Sequence, residues 1–422
     1  MIINFIIFAS IIAIPTVQIG GFVISSIECV LIGGVFLASN HIRARLYSAV
    51  MRDHFACSLL LFTIASIVVM GANIIEIRDF NHTRFYSAFP ALSYCFFYAI
   101  SLNKKSRGSL LNVMAYALLM GLMLNILVLY RPDLPIWAYY AAGKEDVSGE
   151  QFGVNSLGRV AGLFGGDSIF TASFCAICIV TGLALLSLSL ARHRSITAVA
   201  LIVLGGGLLV STQSRMPCLL VILIFGCGAC LCFPIIRSLG MSGSRILLLS
   251  IFPLLLYFLL VMFRARGSVF DEATRVDSWK SSVKIIFDTD RNFLIGTGTH
   301  RLIDTVGLWH SHNVWLFCAL VYGVPMALLS VLIYYKKLRE VWLEFDRRRD
   351  LINKRRIIPN DDDVIVYSTI LVFSFFIMES LFEVTFFQIP RVSVFLYALL
   401  GMSKAASEDR RAGSIIVSVC CG

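Results

Sequence analysis

FRARGSVFDEATRVDSWKSSVKIIFDTDRNFLIGTGTHRLIDTVGLWHSHN, residues 263–313, is a polar island in an otherwise apolar chain. It holds seven Lys and Arg (Arg264, Arg266, Arg275, Lys280, Lys284, Arg291, Arg301) and three of the seven histidines (His300, His310, His312). The runs on either side, 246–263 and 314–335, approach the roughly 20 apolar residues with which a helix crosses the hydrocarbon layer. Their contrast with the island decides the reading of the fold: spans joined through polar connectors.

Working outward, about twelve apolar runs recur, at 2–19, 21–39, 55–75, 86–102, 109–130, 168–190, 196–211, 216–236, 246–263, 314–335, 364–382 and 388–403. The first two flank Gly20-Gly21 and also suit one broken or re-entrant unit. The 422 residues are 58% hydrophobic and 15% charged, with mean hydropathy +0.83. Soluble domains run at about 45–50% apolar and 25% charged. The expected fold is therefore all-α, a single polytopic membrane helical bundle over residues 1–422. It has about twelve transmembrane helices and a large loop between the ninth and tenth. Met1-Ile2-Ile3-Asn4 has no basic n-region and no small-residue cleavage site precedes Pro15, so the first segment is expected to stay in place.

A net charge of +10 invites thoughts of nucleic acid, but membrane topology explains most of it. Placing the N-terminus in the cytoplasm puts 22 of the 36 Lys and Arg on the cytoplasmic side, including the dense clusters Lys104-Lys105-Ser106-Arg107 and Arg192-His193-Arg194. Both termini are then cytoplasmic, 336–363 is a cytoplasmic loop, and the long external segments are 131–167 and 263–313. Within 336–363, Arg347-Arg348-Arg349 through Arg355-Arg356 and then Asp361-Asp362-Asp363 read as a topology anchor near anionic lipid. Ten of the twelve cysteines lie inside apolar segments, with Cys420 and Cys421 at the end. That argues against a disulfide framework and against a zinc site, despite the Cys175-x-x-Cys178 and Cys227-x-x-Cys230 spacings.

The two external segments are unlike ordinary connectors. The first contains Pro132, Pro135, Trp137, Tyr139, Tyr140 and six glycines between Gly149 and Gly166. The second contains an amphipathic helix over 271–287, with Val276, Trp279, Val283 and Ile286 or Phe287 on one face. Turn signals follow at Asp290-Arg291-Asn292 and Gly296-Thr297-Gly298. Long loops that retain aromatic and apolar residues are usually functional.

Candidate chemistry gathers at the external ends of the spans. His312 stands where the loop enters a helix and has an imidazole that titrates near working pH, as a general base requires. The same placement suits an interfacial histidine tying the loop to a carbonyl. Arg215, in Thr212-Gln213-Ser214-Arg215-Met216-Pro217, is an arginine at a membrane edge, suited to phosphate or to snorkelling. Arg275 and Arg159 read either as anion ligands or as solvated charges. Glu379 and Glu383, spaced i, i+4 with Arg391 soon after, suit an acid/base pair or a structural ion pair with an arginine. Gly296-x-Gly298 follows no strand, so a dinucleotide site is not indicated.

In combination, Arg215-x3-Leu219, Arg275 in a large external loop and His312-Asn313-x9-Gly323 at its exit resemble the bacterial O-antigen ligase and polymerase superfamily. The resemblance covers about Gly158 to Gly323. Two departures stand out: Arg159-x3-Leu163 fits the arginine motif as well, and Met326 stands where the family has a small or β-branched residue. The resemblance implies an inner-membrane enzyme with its active site on the periplasmic side. It implies His312 as general base and Arg215 and Arg275 as catalytic cations; beside them, Arg159, Asn313 and the span-end pair Glu379 and Glu383 are the substrate-binding candidates. The donor is an undecaprenyl-diphosphate-linked glycan and the acceptor a glycan or lipid A–core, with no metal and no cofactor. Membrane lipids and a chain-length regulator are expected partners, nucleic acid is not. The reading leans to an O-antigen or exopolysaccharide polymerase. A ligase is the nearest alternative, and a lipid-linked oligosaccharide flippase or transporter is the alternative of another class.

Overall fold

The computed structural model describes residues 17–19, 22–24, 44, 47–48, 51–77, 88–131, 162, 168–188, 191–238, 273–298, 313–355, 358–383 and 390–420. Within these, twelve helices account for almost all of the described residues: α1 (His54–Ile77), α2 (Ala88–Ser101), α3 (Lys104–Tyr130), α4 (Ser168–Leu188), α5 (Arg192–Thr212), α6 (Arg215–Ser238), α7 (Ala273–Ile286), α8 (Asp290–Ile295), α9 (Val314–Tyr322), α10 (Val324–Arg355), α11 (Asp361–Glu379) and α12 (Pro390–Cys420). The fold is a helical membrane bundle. Four described helices contain stretches long and apolar enough to cross a membrane: His54–Asn73, Lys104–Tyr130, Ser168–Leu188 and Arg192–Thr212.

The expected spans 55–75, 86–102, 109–130, 168–190, 196–211, 216–236 and 364–382 coincide with helices α1 to α6 and α11 to within a few residues. The span 246–263 lies outside the described residues, as does most of 2–39. At Gly20-Gly21, the flanking residues Val17–Ile19 and Phe22–Ile24 pair as β1 and β2, an antiparallel hairpin with Ile19 opposite Phe22. β-Branched and aromatic residues flanking a Gly-Gly pair favour this local arrangement.

Two expected boundaries move. The run 314–335 is interrupted at Gly323, which separates α9 from α10. The segment 336–363 is not an open loop, because α10 continues helically to Arg355. Helix α4 is buried on every side, and α11 is buried along most of its length. Around these two pack α3, α6 and α12, while α10 also lies on α11. A helix apolar all round belongs at the centre of such a bundle.

Ion pairs and hydrogen bonds distinguish the two ends of the bundle. At one end Asn360 caps α11, its side chain accepting from the Asp362 and Asp363 amides while Asp363 returns a bond to the Asn360 amide. The three aspartates of that first turn each hold a different helix. Asp361 pairs with Arg194 of α5, Asp362 with Arg107 of α3 and Asp363 with Arg348 of α10. Arg107, with no exposed surface, also reaches Asp409 of α12 at 2.6 Å and the Ser101 carbonyl at 3.0 Å. Arg348 also donates to Glu344 and to the Ala406 carbonyl. Asp361, Asp362, Asp363 and Arg348 are thus interhelical clamps and not the lipid anchor that the charge run suggests. A cavity of about 270 Å³ at this junction is lined largely by the same groups.

Nearby, the buried Asp53 carboxylate accepts from Tyr94 and pairs with Lys404 at 3.1 Å. Buried Lys337 reaches the Tyr94 hydroxyl at 3.3 Å and lies over the Phe55 and Tyr94 rings. Burial alone raises the Asp53 carboxyl, but Lys337, Lys404 and the Tyr94 hydroxyl together bring it below the ordinary range. Burial pushes the Lys337 ammonium down. Sequence reasoning marked none of these groups as a cluster.

Candidate functional site

The other end of the bundle carries the described candidates Arg215, Asn313, Glu379 and Glu383. Helices α4, α5 and α6 follow one another through short connectors, so Ser168, Thr212 and Arg215 share that end. Ser173 of α4 donates to the Glu379 carboxylate, which brings the end of α11 to the same place. Asn313 donates to the Leu381 carbonyl at 3.0 Å, and the Val314 amide donates to the Ser380 carbonyl at 2.9 Å. The start of α9 is therefore stitched to the turn that ends α11.

The spacing His312-Asn313-x9-Gly323 acquires a local physical meaning. Asn313 is the N-cap of α9, its side-chain oxygen accepting from the Trp315 and Leu316 amides. Such a cap contributes about 1 kcal/mol. The nine intervening residues are the whole of α9, Val314–Tyr322. Gly323 ends it with φ 88°, a left-handed backbone where a Cβ would stand 2.3 Å from the Leu294 carbonyl oxygen. The last carbonyls of α9, orphaned by this break, accept from the Thr297 amide (to Leu320, 2.7 Å) and the Gly298 amide (to Val321, 3.2 Å). Gly296, at φ 72°, makes the approach from the other side. The Gly296-x-Gly298 pair is thus a backbone docking element.

Arg215 is half-buried and opens α6. Gln213 before it adopts φ 53°, an uncommon left-handed conformation for a non-glycine residue. It closes α5 through its amide to the Val210 carbonyl. Ser214 is buried, its amide on the Thr212 hydroxyl at 3.3 Å. This tight turn sets the half-buried guanidinium at the first turn of a helix, where the backbone dipole adds to its own positive field.

Glu379 and Glu383 are each 1% exposed. They flank the Ser380–Phe382 turn, closed by the Phe382 and Glu383 amides on the Glu379 carbonyl at 2.8 Å each. Arg391, the ion-pair partner proposed from spacing, has its side chain outside the described residues. So do the side chain of Arg275, and Arg159 and His312 in full. The backbone of position 275 lies in the first turn of α7, one turn ahead of Ser278. His312 precedes the N-cap Asn313 directly, so chain connectivity alone keeps its Cα about 3.8 Å from that of Asn313.

The structure adds residues that the sequence reading did not name. Gly162, six residues before α4 begins at Ser168, is buried where a Cβ would meet Asn125 and Thr171. Gly162 therefore sits between α3 and α4. Asn125 had a legible signal, an amide within an apolar span. Ser173 had none, because hydroxyls in buried helices commonly bond their own backbone, as Ser173 also does to Ile169. No protein-family model matches the chain, and no curated protein matches it.

Proposed function

We propose that the protein is an inverting, metal-independent glycan transferase. It works at the periplasmic face of a bacterial inner membrane, within a bundle of about twelve spans whose termini are both cytoplasmic. The observation that supports the reading best is the anchoring of Asn313. One side chain caps α9 and binds Leu381, holding the chain immediately after His312 against the end of the bundle that carries Arg215, Ser173 and Glu379. A base and a cation held on different helices of one rigid frame are what transfer from a diphosphate donor needs, since fixed charges require no reorganisation as the leaving group develops charge.

In this mechanism Arg215 and Arg275 bind the diphosphate of the undecaprenyl-linked donor. His312 takes the proton of the acceptor hydroxyl as the oxygen attacks the anomeric carbon from the opposite face, and undecaprenyl diphosphate leaves. Asn313 is a positioning residue for the base. The donor is already activated, so no nucleotide enters. We favour polymerisation of O-antigen or exopolysaccharide repeats over ligation to lipid A–core, and either over lipid-linked oligosaccharide flipping.

His312→Ala and Arg215→Ala, each expressed in cells lacking the native copy, are expected to abolish polymer while the folded protein stays in the membrane. Normal polymer from either variant overturns the proposal. Glycan gels of the null strain separate the alternatives: single-repeat products indicate a polymerase, and unattached lipid-linked long chains indicate a ligase.

A further inference from the structure

Helix α7 has three differently used sides. Ser278, Ser282 and Ile286, spaced by four, are buried, and α7 packs on α9. Asp277, Ser281, Lys284 and Asp288 form an exposed polar side. Between them run Val276, Val283 and Phe287, all exposed, Phe287 by 66%, with Lys280 beside them and paired to Asp277 at 3.6 Å. The apolar stripe read from sequence is therefore split: Ile286 turns inward, while Val276, Val283 and Phe287 turn out. In α8 the line continues to Leu294, 55% exposed.

The neighbouring helices indicate what this side meets. On α10, Leu328, Leu332 and Tyr335 form an exposed apolar line, followed by exposed Lys336 and Arg339. At 1.5 Å per residue that line covers only about 10 Å of a hydrocarbon layer about 30 Å thick. On the other side of the Gly323 break, Phe317 through Tyr322 of α9 are all buried. Both α7 and α8 pack against this buried helix. Leu294 touches Gly323 through its backbone, which brings the α8 line to the start of the exposed apolar line of α10.

We propose that α7 and α8 are embedded in the external leaflet, with Val276, Val283, Phe287 and Leu294 against acyl chains and Lys280 and Lys284 at the phosphates of anionic phospholipids. A helix of this length is too short to span, and its protein, acyl and polar sides match the three surroundings found at an interface. The segment 273–295 is then part of the membrane layer, not a loop in water. Because position 275 lies in α7, the leaflet also sets the height of Arg275. That last step rests on the function proposed above, whereas the embedding does not.

The test uses the unaltered full chain in nanodiscs containing a phospholipid with a photoreactive acyl chain, with adducts mapped by mass spectrometry. Adducts at Val283, Phe287 and Leu294, alongside those at Leu328 and Leu332, are expected. Labelling of α10 without any on 276–294, or crosslinks from these residues to a second copy of the chain in place of lipid, overturns the embedding. For the headgroups, amide exchange of 276–287 is expected to be several-fold slower in phosphatidylglycerol than in phosphatidylcholine discs, a difference that K280Q/K284Q removes. Equal exchange in both lipids overturns the phosphate contact.

Discussion

Arg107 and Asp362, 255 residues apart in the chain, meet in a two-pronged pair inside the bundle, with Nε to Oδ1 at 2.7 Å and Nη2 to Oδ2 at 3.1 Å. The guanidinium has no exposed surface and its remaining donor reaches the Ser101 carbonyl. A buried charge is tolerable only when paired and hydrogen-bonded in this way. The pair ties the start of α3 to the start of α11, and Asp409 ties both to α12.

Breaking that pair from one side leaves the other charge buried and uncompensated, which costs about 3–5 kcal/mol. Asp362→Asn and Arg107→Met are each expected to lower the melting temperature of the purified protein in detergent markedly. Asp409→Asn, at the half-exposed rim of the cluster, is expected to lower it much less. Thermal melts of the three variants check the order.

Gly323→Ala places a methyl against the Leu294 carbonyl in a left-handed backbone. It is expected to prevent accumulation of monodisperse protein, as size-exclusion of solubilised membranes would reveal. Gly206→Ala, on α5 with open space around it, is the control. There alanine is expected to be neutral or to stabilise by about 0.5–1 kcal/mol through helix propensity.

Asn313 does two things, and substitutions separate them. Asn313→Asp keeps the acceptor that caps α9 and loses the donor to Leu381. Asn313→Ala loses both, with about 1 kcal/mol from the cap alone. Melting temperatures are expected to fall in the order Asn, Asp, Ala. If Asn313 positions His312, polymer formation falls more steeply in the Ala variant than its stability does.

Asp53 has a folded-state pKa below its unfolded value of about 3.9. Its contribution is then fully present above that unfolded value and is lost as pH falls through the folded one. A melting-temperature profile from neutral pH down to about pH 3 is expected to drop at its acid end. Asp53→Asn is expected to lower stability at neutral pH and to flatten that drop. An unchanged profile counts against the Lys337 and Lys404 pairing as its cause.

Residues whose reading depends on local composition were legible. The apolar runs over α1 to α6 and α11 announce themselves because hydropathy is a sum along the chain, and the place of Arg215 at the start of α6 because a polar break between two apolar runs shows in the same sum. The amphipathic segment around α7 was also legible as a helix. The sequence leaves its apolar face open between Ile286 and Phe287, because an exposed side chain and a buried one look alike until a neighbour covers one of them; Phe287 joins Val276 and Val283 on the exposed side. The aspartates 361–363 and Arg348 were read as a lipid anchor for a similar reason: a charge run shows its sign, and its partners lie on other helices.

By itself the sequence determined that this chain is a helical membrane bundle, roughly where its helices run, and where arginines, carboxylates and an imidazole stand relative to the span ends. Those properties follow from residues close together in the chain. Only the tertiary structure decided that Asp362 takes Arg107 and not another of the 36 Lys and Arg. It alone decided that α9 is buried with α7 packed against it, and that Asn313 fastens the end of the polar island to Leu381. Each of these depends on which groups meet at about 3 Å across long stretches of chain, and burial then sets the strength of the contact. Neither quantity is carried by any one segment.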